Sequence, residues 1–516
     1  MAYLSVDAIN SAIDHIIATY PAIATPIALP ETSVEGRTIK ALKIAHGSGT
    51  RTGILFLGGV HARELINPET VISFALRLCD AYTHNTGLSF GPKSYDASTI
   101  QLVVNGLDIF LIPLVNPDGR HFCLMPGGNP MWRKNRSNHP GLACRGVDLN
   151  RNYDFLWSSG IGTSSNACTD IFKGPSAFSE PETRNVRWMI DHFANLGCLV
   201  DIHSFSELVL YPWGDDENQT TDPNQNFQNP AFNGQRGIVG SGYREYIPAG
   251  DLHDHVVMAE RVRDGIKAVR GRVYTAQAGI DLYPTSATVH DYAYSRYFVD
   301  TGRRRILGFT IETAREFQPP DAEKNNVISE VSAGLMEALC ETLCPADFAQ
   351  SLIDAVFPLA AMRRFRERNM LASPSGVRYR DMFRAHSMEL VRLAQENKAA
   401  RDAGAAVLET ASQFFTEKGE LSSRKIAKSH IEQVIKALGV VRKEASKSLT
   451  AAIDTALRDV RKLEGSTLTA AFKTLDKLKP EASASRALGK EKPKASALSA
   501  ASKKRAKKRK RTRKTR

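Results

Sequence analysis

The chain has 516 residues, 42% of them hydrophobic and 24% charged, enough to bury a large core and to build one enzyme-sized domain with further segments attached. No apolar run approaches the roughly 18 residues that a membrane-crossing helix needs, so no transmembrane segment is expected. The net charge of +13 is local: Arg486 to Arg516 holds 15 Lys and Arg against the single acid Glu491, and the rest of the chain is close to neutral.

The first residues, MAYLSVDAINSAIDHIIATYP, space apolar side chains at helical intervals. They lack the basic stretch and continuous apolar core of a secretory leader, which favours a cytoplasmic location. Short β-rich runs follow at 38–45, 53–60, 107–115, 198–203 and 306–313, with helical stretches between them. This interleaving predicts an α/β domain over residues 1–345, with a central, mostly buried sheet flanked by helices.

From 346 to 480 Pro, Gly and aromatics thin out, and apolar residues fall three and four apart in 388–415 and 428–465. That pattern predicts an accessory region of two to four packed helices. Residues 481–516 have too few apolar side chains for a core and read as a disordered Lys/Arg-rich tail. The seven cysteines leave at least one thiol unpaired within a single chain.

The chemistry sits where apolar runs end. In LFLGGVHARELINPET, His61 and Glu64 lie three apart just past a strand. Such a pair is weak evidence alone, but CLVDIHSFSELVLYPWG delivers His203 to the same kind of strand end, and two strands of one sheet can bring their ends together. Two imidazoles and a carboxylate form the three-ligand set of a catalytic zinc, which keeps its fourth position for water. Glu312, in ILGFTIETA, is an acid among apolar neighbours, which is costly unless it serves a site. His253 and His255 lie in a helical stretch without a matching motif and read as surface residues, as do His121, His139 and His192.

Five blocks in order, VHARE, LVNPDG, MWRKNRS, GVDLNRNYD and TIET, together with the IHS of residues 202–204, resemble the zinc carboxypeptidases of the carboxypeptidase A type over about residues 3–340. The resemblance implies a mixed sheet, one zinc ion held by His61, Glu64 and His203, and hydrolysis of the C-terminal peptide bond of peptides or proteins. It makes Glu312 the general base and proton shuttle, and Arg133 the group that stabilises the oxyanion, with Lys134 and Arg136 as surface charges. Asn150 and Arg151 match the receptor for the substrate's free carboxylate, a task suited to a guanidinium fork. Tyr283 matches a tyrosine that closes over the substrate, with Tyr292 and Tyr294 as packing residues, and Arg63 a contact further up the peptide.

By the same resemblance His290 matches the floor of the pocket for the C-terminal side chain, where family members usually carry an apolar, acidic or small polar residue. It is expected to weaken selection for basic residues and to admit aromatic or acidic ones. Cys144 and Cys168 occupy positions where secreted relatives carry a disulfide, which argues for export and against the reading of the first residues. Family members often carry an inhibitory pro-segment; the first residues here read as the start of the mature domain, so none is expected.

Two rivals accompany the carboxypeptidase reading. One is a cell-wall peptide amidase on the same scaffold, opposed by the carboxylate receptor. The other is an inactive binding protein whose basic tail takes nucleic acid or another polyanion through salt-sensitive phosphate contacts.

Overall fold

The alternation within TGILFLG sets the centre of the molecule. This segment forms strand β3 (Thr52–Gly58), buried along its whole length. Its odd and even residues enter different cores: Ile54 and Phe56 pack on one face of the sheet, Leu55 and Leu57 on the other. A fully buried side chain of this size contributes about 1.5–3 kcal/mol, so a strand apolar on both faces is held from both sides.

The structure, a computed structural model, describes residues 3–47, 51–238, 240–343, 357–370, 373–416 and 420–477. The predicted basic tail lies outside them. Around β3 stand β1 (Ala24–Ile27), β2 (Ala41–Ile44), a hairpin of β4 (Leu88–Phe90) and β5 (Lys93–Tyr95), β6 (Leu107–Ile112), β7 (Leu196–Ser204) and β8 (Leu208–Tyr211). A short pair, β9 (Asn218–Gln219) and β10 (Glu245–Tyr246), precedes β11 (Thr275–Ala278) and β12 (Leu307–Thr313). Eight strands form one sheet in the order β1-β2-β6-β3-β7-β12-β8-β11. Its centre, β6 to β12, is parallel, and its edges add antiparallel pairs, so the sheet is mixed.

Helices cover both faces, as expected. On the side of Phe56 lie α1 (Val6–Thr19), α2 (Ile66–Thr83), α3 (Ala97–Gly106), α6 (Ala249–Arg270) and α8 (Asp321–Thr342). On the side of Leu55 lie α5 (Pro181–His192) and α7 (Val289–Val299). A further helix, α4 (Pro117–Leu124), starts at Asn116, whose side chain accepts from Gly119 N. The same Asn116 donates through Nδ2 to Val60 O and Lys134 O, both at 3.1 Å. That is the physical role of LVNPDG: it ties the end of β3 to the MWRKNRS loop.

The accessory region differs from expectation in its number of helices. Six helices run between Pro374 and Asp476: Pro374–Ala385, Ser387–Glu396, Lys398–Ser412, Lys428–Glu444, Lys447–Val460 and Leu468–Asp476. Each long amphipathic stretch is divided by a capping side chain. Asn397 accepts from Ala400 N and Ser446 from Leu449 N, so each starts a new helix where periodicity alone reads one.

One buried carboxylate ties several contacts of this region together. Asp254, on α6, receives Arg305 Nη2 at 2.5 Å, Arg380 Nη1 at 2.9 Å and Arg384 Nη1 at 3.0 Å. Burial opposes its charge, but the three guanidiniums hold its carboxyl well below the usual range. A cavity of about 600 Å³ lies at this junction, lined among others by Met258, Leu307, Phe383, Leu390 and Val441. Cys144 and Cys168 are bonded, 5.0 Å apart at Cα. Among the described residues no helix is long and apolar enough to cross a membrane.

Candidate metal centre

The end of β3 turns sharply. Gly59 has φ +63°, and a Cβ there would lie 2.7 Å from Leu114 Cδ1 and 2.9 Å from Pro68 Cγ, so only glycine fits. The turn delivers His61 and Glu64 to the end of the neighbouring strand β7, where His203 stands. All three are buried, and one ligand atom from each falls within 4.8 Å of the others.

The hydrogen bonds behind the histidines decide what this cluster needs. His61 Nε2 faces Asp148 Oδ1 at 3.1 Å, and His203 Nε2 faces Asp201 Oδ2 at 2.5 Å. Carboxylates only accept, so each ring carries its proton on Nε2 and presents the Nδ1 lone pair. Those two Nδ1 atoms are 2.9 Å apart, with Glu64 Oε1 at 2.8 Å from one and Oε2 at 3.1 Å from the other. Three acceptors converge on one point, which is stable when a cation sits among them. Two imidazoles and a carboxylate, each imidazole backed by a second carboxylate, suit zinc.

Glu64 is itself held. Its Oε2 accepts from Ser204 N at 3.0 Å, beside Asn67. Asp148 joins the cluster to Arg133, whose Nε and Nη2 both reach Asp148 Oδ2 at 2.9 Å. Burial works against the charge of Asp148, yet Arg133 and His61 keep its carboxyl well below the usual range.

Glu312 arrives by register. Strands β7 and β12 are parallel neighbours, and Glu312 lies directly across from His203. Desolvation, opposed by His203 and reinforced by Glu64, pushes its carboxyl up to about 7. This places a carboxyl beside the metal-binding cluster, where a group that exchanges protons can serve.

The remaining predicted residues each have contacts of their own. Arg151 donates to Gly162 O at 3.0 Å, to Asn150 O at 2.7 Å and to the Tyr283 hydroxyl at 3.3 Å. Asn150 Oδ1 accepts from Val289 N at 2.9 Å, at the start of α7. Tyr283 is 46% exposed, placing a large aromatic ring at the rim. Arg63 lies over the Phe317 ring at 4.1 Å and pairs with Asp170 at 3.1 Å. His290 is buried, with Nδ1 3.0 Å from Thr310 Oγ1.

Two side chains read as surface groups are not. His255 is fully buried in α6 among Tyr211, Tyr294 and Phe309, with Nδ1 against Asp251 O, because it falls on the helix face turned to the sheet. Lys134 is buried and donates to Ala167 O at 2.6 Å. Conversely, sequence reasoning overlooked Asp148 and Asp201. Asp201 had a readable signal: it precedes His203 by two, on the same face of a strand. Asp148 had only its place two residues before Asn150.

Asp148→Asn is therefore expected to weaken zinc binding about 10- to 100-fold, since the amide no longer fixes the His61 tautomer. Competition with a chromogenic chelator measures this, and an affinity within twofold of wild type would show that Asp148 serves only Arg133.

Comparison with known proteins agrees with this geometry. The family model described as zinc carboxypeptidase matches residues 9–333. The chain belongs to the zinc carboxypeptidase family. Carboxypeptidase B of Helicoverpa zea is 38% identical over 221 residues, which span 42% of this chain and 47% of that protein. Carboxypeptidase B of Astacus astacus is 31% identical over 318 residues, 59% of this chain and 89% of the other. Human carboxypeptidase A5 is 34% identical over 319 residues, 61% of each. The chain thus spans about half the length of the first of these relatives. Among solved structures, bovine thrombin-activatable fibrinolysis inhibitor bound to tick carboxypeptidase inhibitor matches with a TM-score of 0.52 at 22% identity, covering 66% of this chain and 97% of that one. This last likeness shows the carboxypeptidase fold. The metal cluster and the sheet that carries it all fall inside the family match, and the accessory helices fall outside it.

Proposed function

We propose that this zinc carboxypeptidase family member removes residues from the free C-terminus of peptides or proteins, using one zinc ion. The observation that carries the reading is the convergence of His61 Nδ1, His203 Nδ1 and Glu64 on one point, with Glu312 on the same rung of the sheet as His203. Zinc bound there would acidify a water molecule and polarise the scissile carbonyl.

The chain's own groups supply the rest. Glu312 takes the proton of the attacking water on its carboxylate and returns it to the leaving amine. Arg133, fixed through Nε and Nη2 to Asp148, presents a permanent positive charge to the developing oxyanion. Arg151 and Asn150 receive the terminal carboxylate, and Tyr283 closes over it. Arg63 meets the peptide further from its end.

We assign residues 1–345 to the catalytic domain, 346–480 to an accessory helical region and 481–516 to a polycationic tail able to bind polyanions. The Cys144–Cys168 bond, of a kind that persists in oxidising compartments, favours export over a cytoplasmic location. An amidase acting on blocked or non-peptide ends has no use for the Asn150, Arg151 and Tyr283 set.

Purified protein incubated with N-terminally blocked peptides tests the proposal. Release of the last amino acid is expected to stop with a zinc chelator and return with added zinc. A peptide whose C-terminus is amidated should be cleaved at least about 100-fold more slowly, because it lacks the charge that Arg151 receives. Equal cleavage of free and amidated peptides would exclude an exopeptidase.

A further inference from the structure

The cavity of about 600 Å³ between the sheet and the accessory helices lies at the far end of the strands that carry the metal centre. Cys198 on β7 and Leu307 on β12 line it, five positions before His203 and Glu312 respectively. At roughly 3.3 Å per residue, that is about 16 Å along the sheet. The opposite wall comes from Ser387–Glu396, Lys398–Ser412, Lys428–Glu444 and Lys447–Val460, all beyond the residues that match the family.

Small residues hold these walls apart. Ala400, Gly404, Val407 and Leu408 line the cavity from one face of Lys398–Ser412, at the three- and four-residue spacing of a helix side. Ala452 and Ala456, four apart, do the same on Lys447–Val460. A Cβ on Gly404 would meet no atom within 4 Å, and its backbone is not left-handed, so neither crowding nor conformation demands glycine there. Glycine weakens a helix interior, and at this position what it leaves is open volume. Packed interiors hold few voids larger than a water molecule, whereas ligand sites occupy about 300–1,000 Å³.

The lining combines aliphatic and aromatic side chains with an excess of positive charge. Phe383, 43% exposed, brings the cavity to the surface. Among the described residues, six arginines line it against two carboxylates, Asp254 and Glu341. Arg305, Arg380 and Arg384 converge on Asp254, and Arg384 also meets Glu341 at 3.3 Å. Arg401 is different. Its Nη1 donates to Ala394 O at 3.0 Å and to Gln395 O at 3.4 Å, which fixes the guanidinium at the end of Ser387–Glu396. Among the described residues no carboxylate meets it, and nothing accepts from its Nε or Nη2. A guanidinium with this part of its fork open and its charge uncompensated matches a carboxylate.

We propose that this cavity binds a fatty acid, with the alkyl chain among Leu390, Leu393, Val407 and Val441 and the carboxylate on Arg401. The apolar walls select the chain, and the uncompensated guanidinium selects an anionic head over a neutral or cationic one. The site uses neither the metal cluster nor Glu312 or Arg151, so it stands independently of the carboxypeptidase reading.

The test titrates the delipidated full chain by calorimetry with dodecanoate, below its micelle-forming concentration, and with acetate, dodecanol and dodecyltrimethylammonium. One dodecanoate per chain is expected, bound at least about tenfold more tightly than any of the other three, because only it offers both the chain and the charge-assisted hydrogen bonds. Arg401→Gln, which removes the counter-charge, and Gly404→Leu, which fills the open volume, should each weaken dodecanoate binding at least about tenfold, with helix content by circular dichroism unchanged. Dodecanoate bound no more tightly than acetate would place the anion on exposed basic residues and overturn the proposal. Equal binding of dodecanol or of the alkylammonium would overturn it as well, as would wild-type affinity in both variants.

Discussion

Replacing Glu312 by glutamine is expected to lower kcat for release of a C-terminal residue by about 10³-fold while leaving zinc content at the wild-type level. The magnitude follows from general base catalysis, which contributes roughly 10²- to 10⁴-fold. The separation of effects follows from geometry: Glu312 shares a rung with His203 but stands outside the converging donor set of His61, Glu64 and His203. Glutamine keeps the shape of the side chain and abolishes its ability to take up a proton. Metal analysis and turnover measured on the same preparation decide the matter. Activity within tenfold of wild type would mean that another group accepts the proton, and loss of zinc would mean that Glu312 helps to hold the ion.

The second large effect is on stability. Asp254→Ala should destabilise the protein by about 3–5 kcal/mol, the usual consequence of removing one partner from a buried ionic cluster. Arg305, Arg380 and Arg384 all point at this carboxylate, and Arg305 and Arg380 are themselves buried, so their charges lose a shared counter-ion. Two of these arginines belong to Pro374–Ala385 and the carboxylate to α6, so the loss acts on the attachment of the accessory helices. Denaturant unfolding measures it, with Asp381→Ala as a control at a half-exposed position, where less than about 1 kcal/mol is expected. A shift no larger than the control's would show that the Asp254 cluster does not hold the accessory helices.

Strand content was readable because burial on both faces leaves a strong mark in sequence: ILFL, IFLI and CLV are apolar regardless of which side each residue takes. The convergence of His61, Glu64 and His203 was readable because each follows or ends such a run. What sequence hid was of two kinds. Helix breaks in the accessory region depend on single caps such as Asn397 and Ser446, which barely disturb an amphipathic pattern. Polar residues buried through bonds between separate segments, such as Asp148 and Lys134, look like surface residues until their partners His61, Arg133 and Ala167 are known.

The pairing of β7 with β12 fixes more than the position of Glu312. Adjacent strands are held about 4.8 Å apart by main-chain hydrogen bonds, so the spacing of Glu312, the proposed proton acceptor, from His203 is a property of the sheet's backbone. The groups proposed to meet the substrate, Arg133, Arg151 and Tyr283, are carried on loops and a short 3-10 helix outside the sheet. Warming should therefore act in two stages, with KM rising first as these segments loosen and kcat persisting until the sheet itself melts.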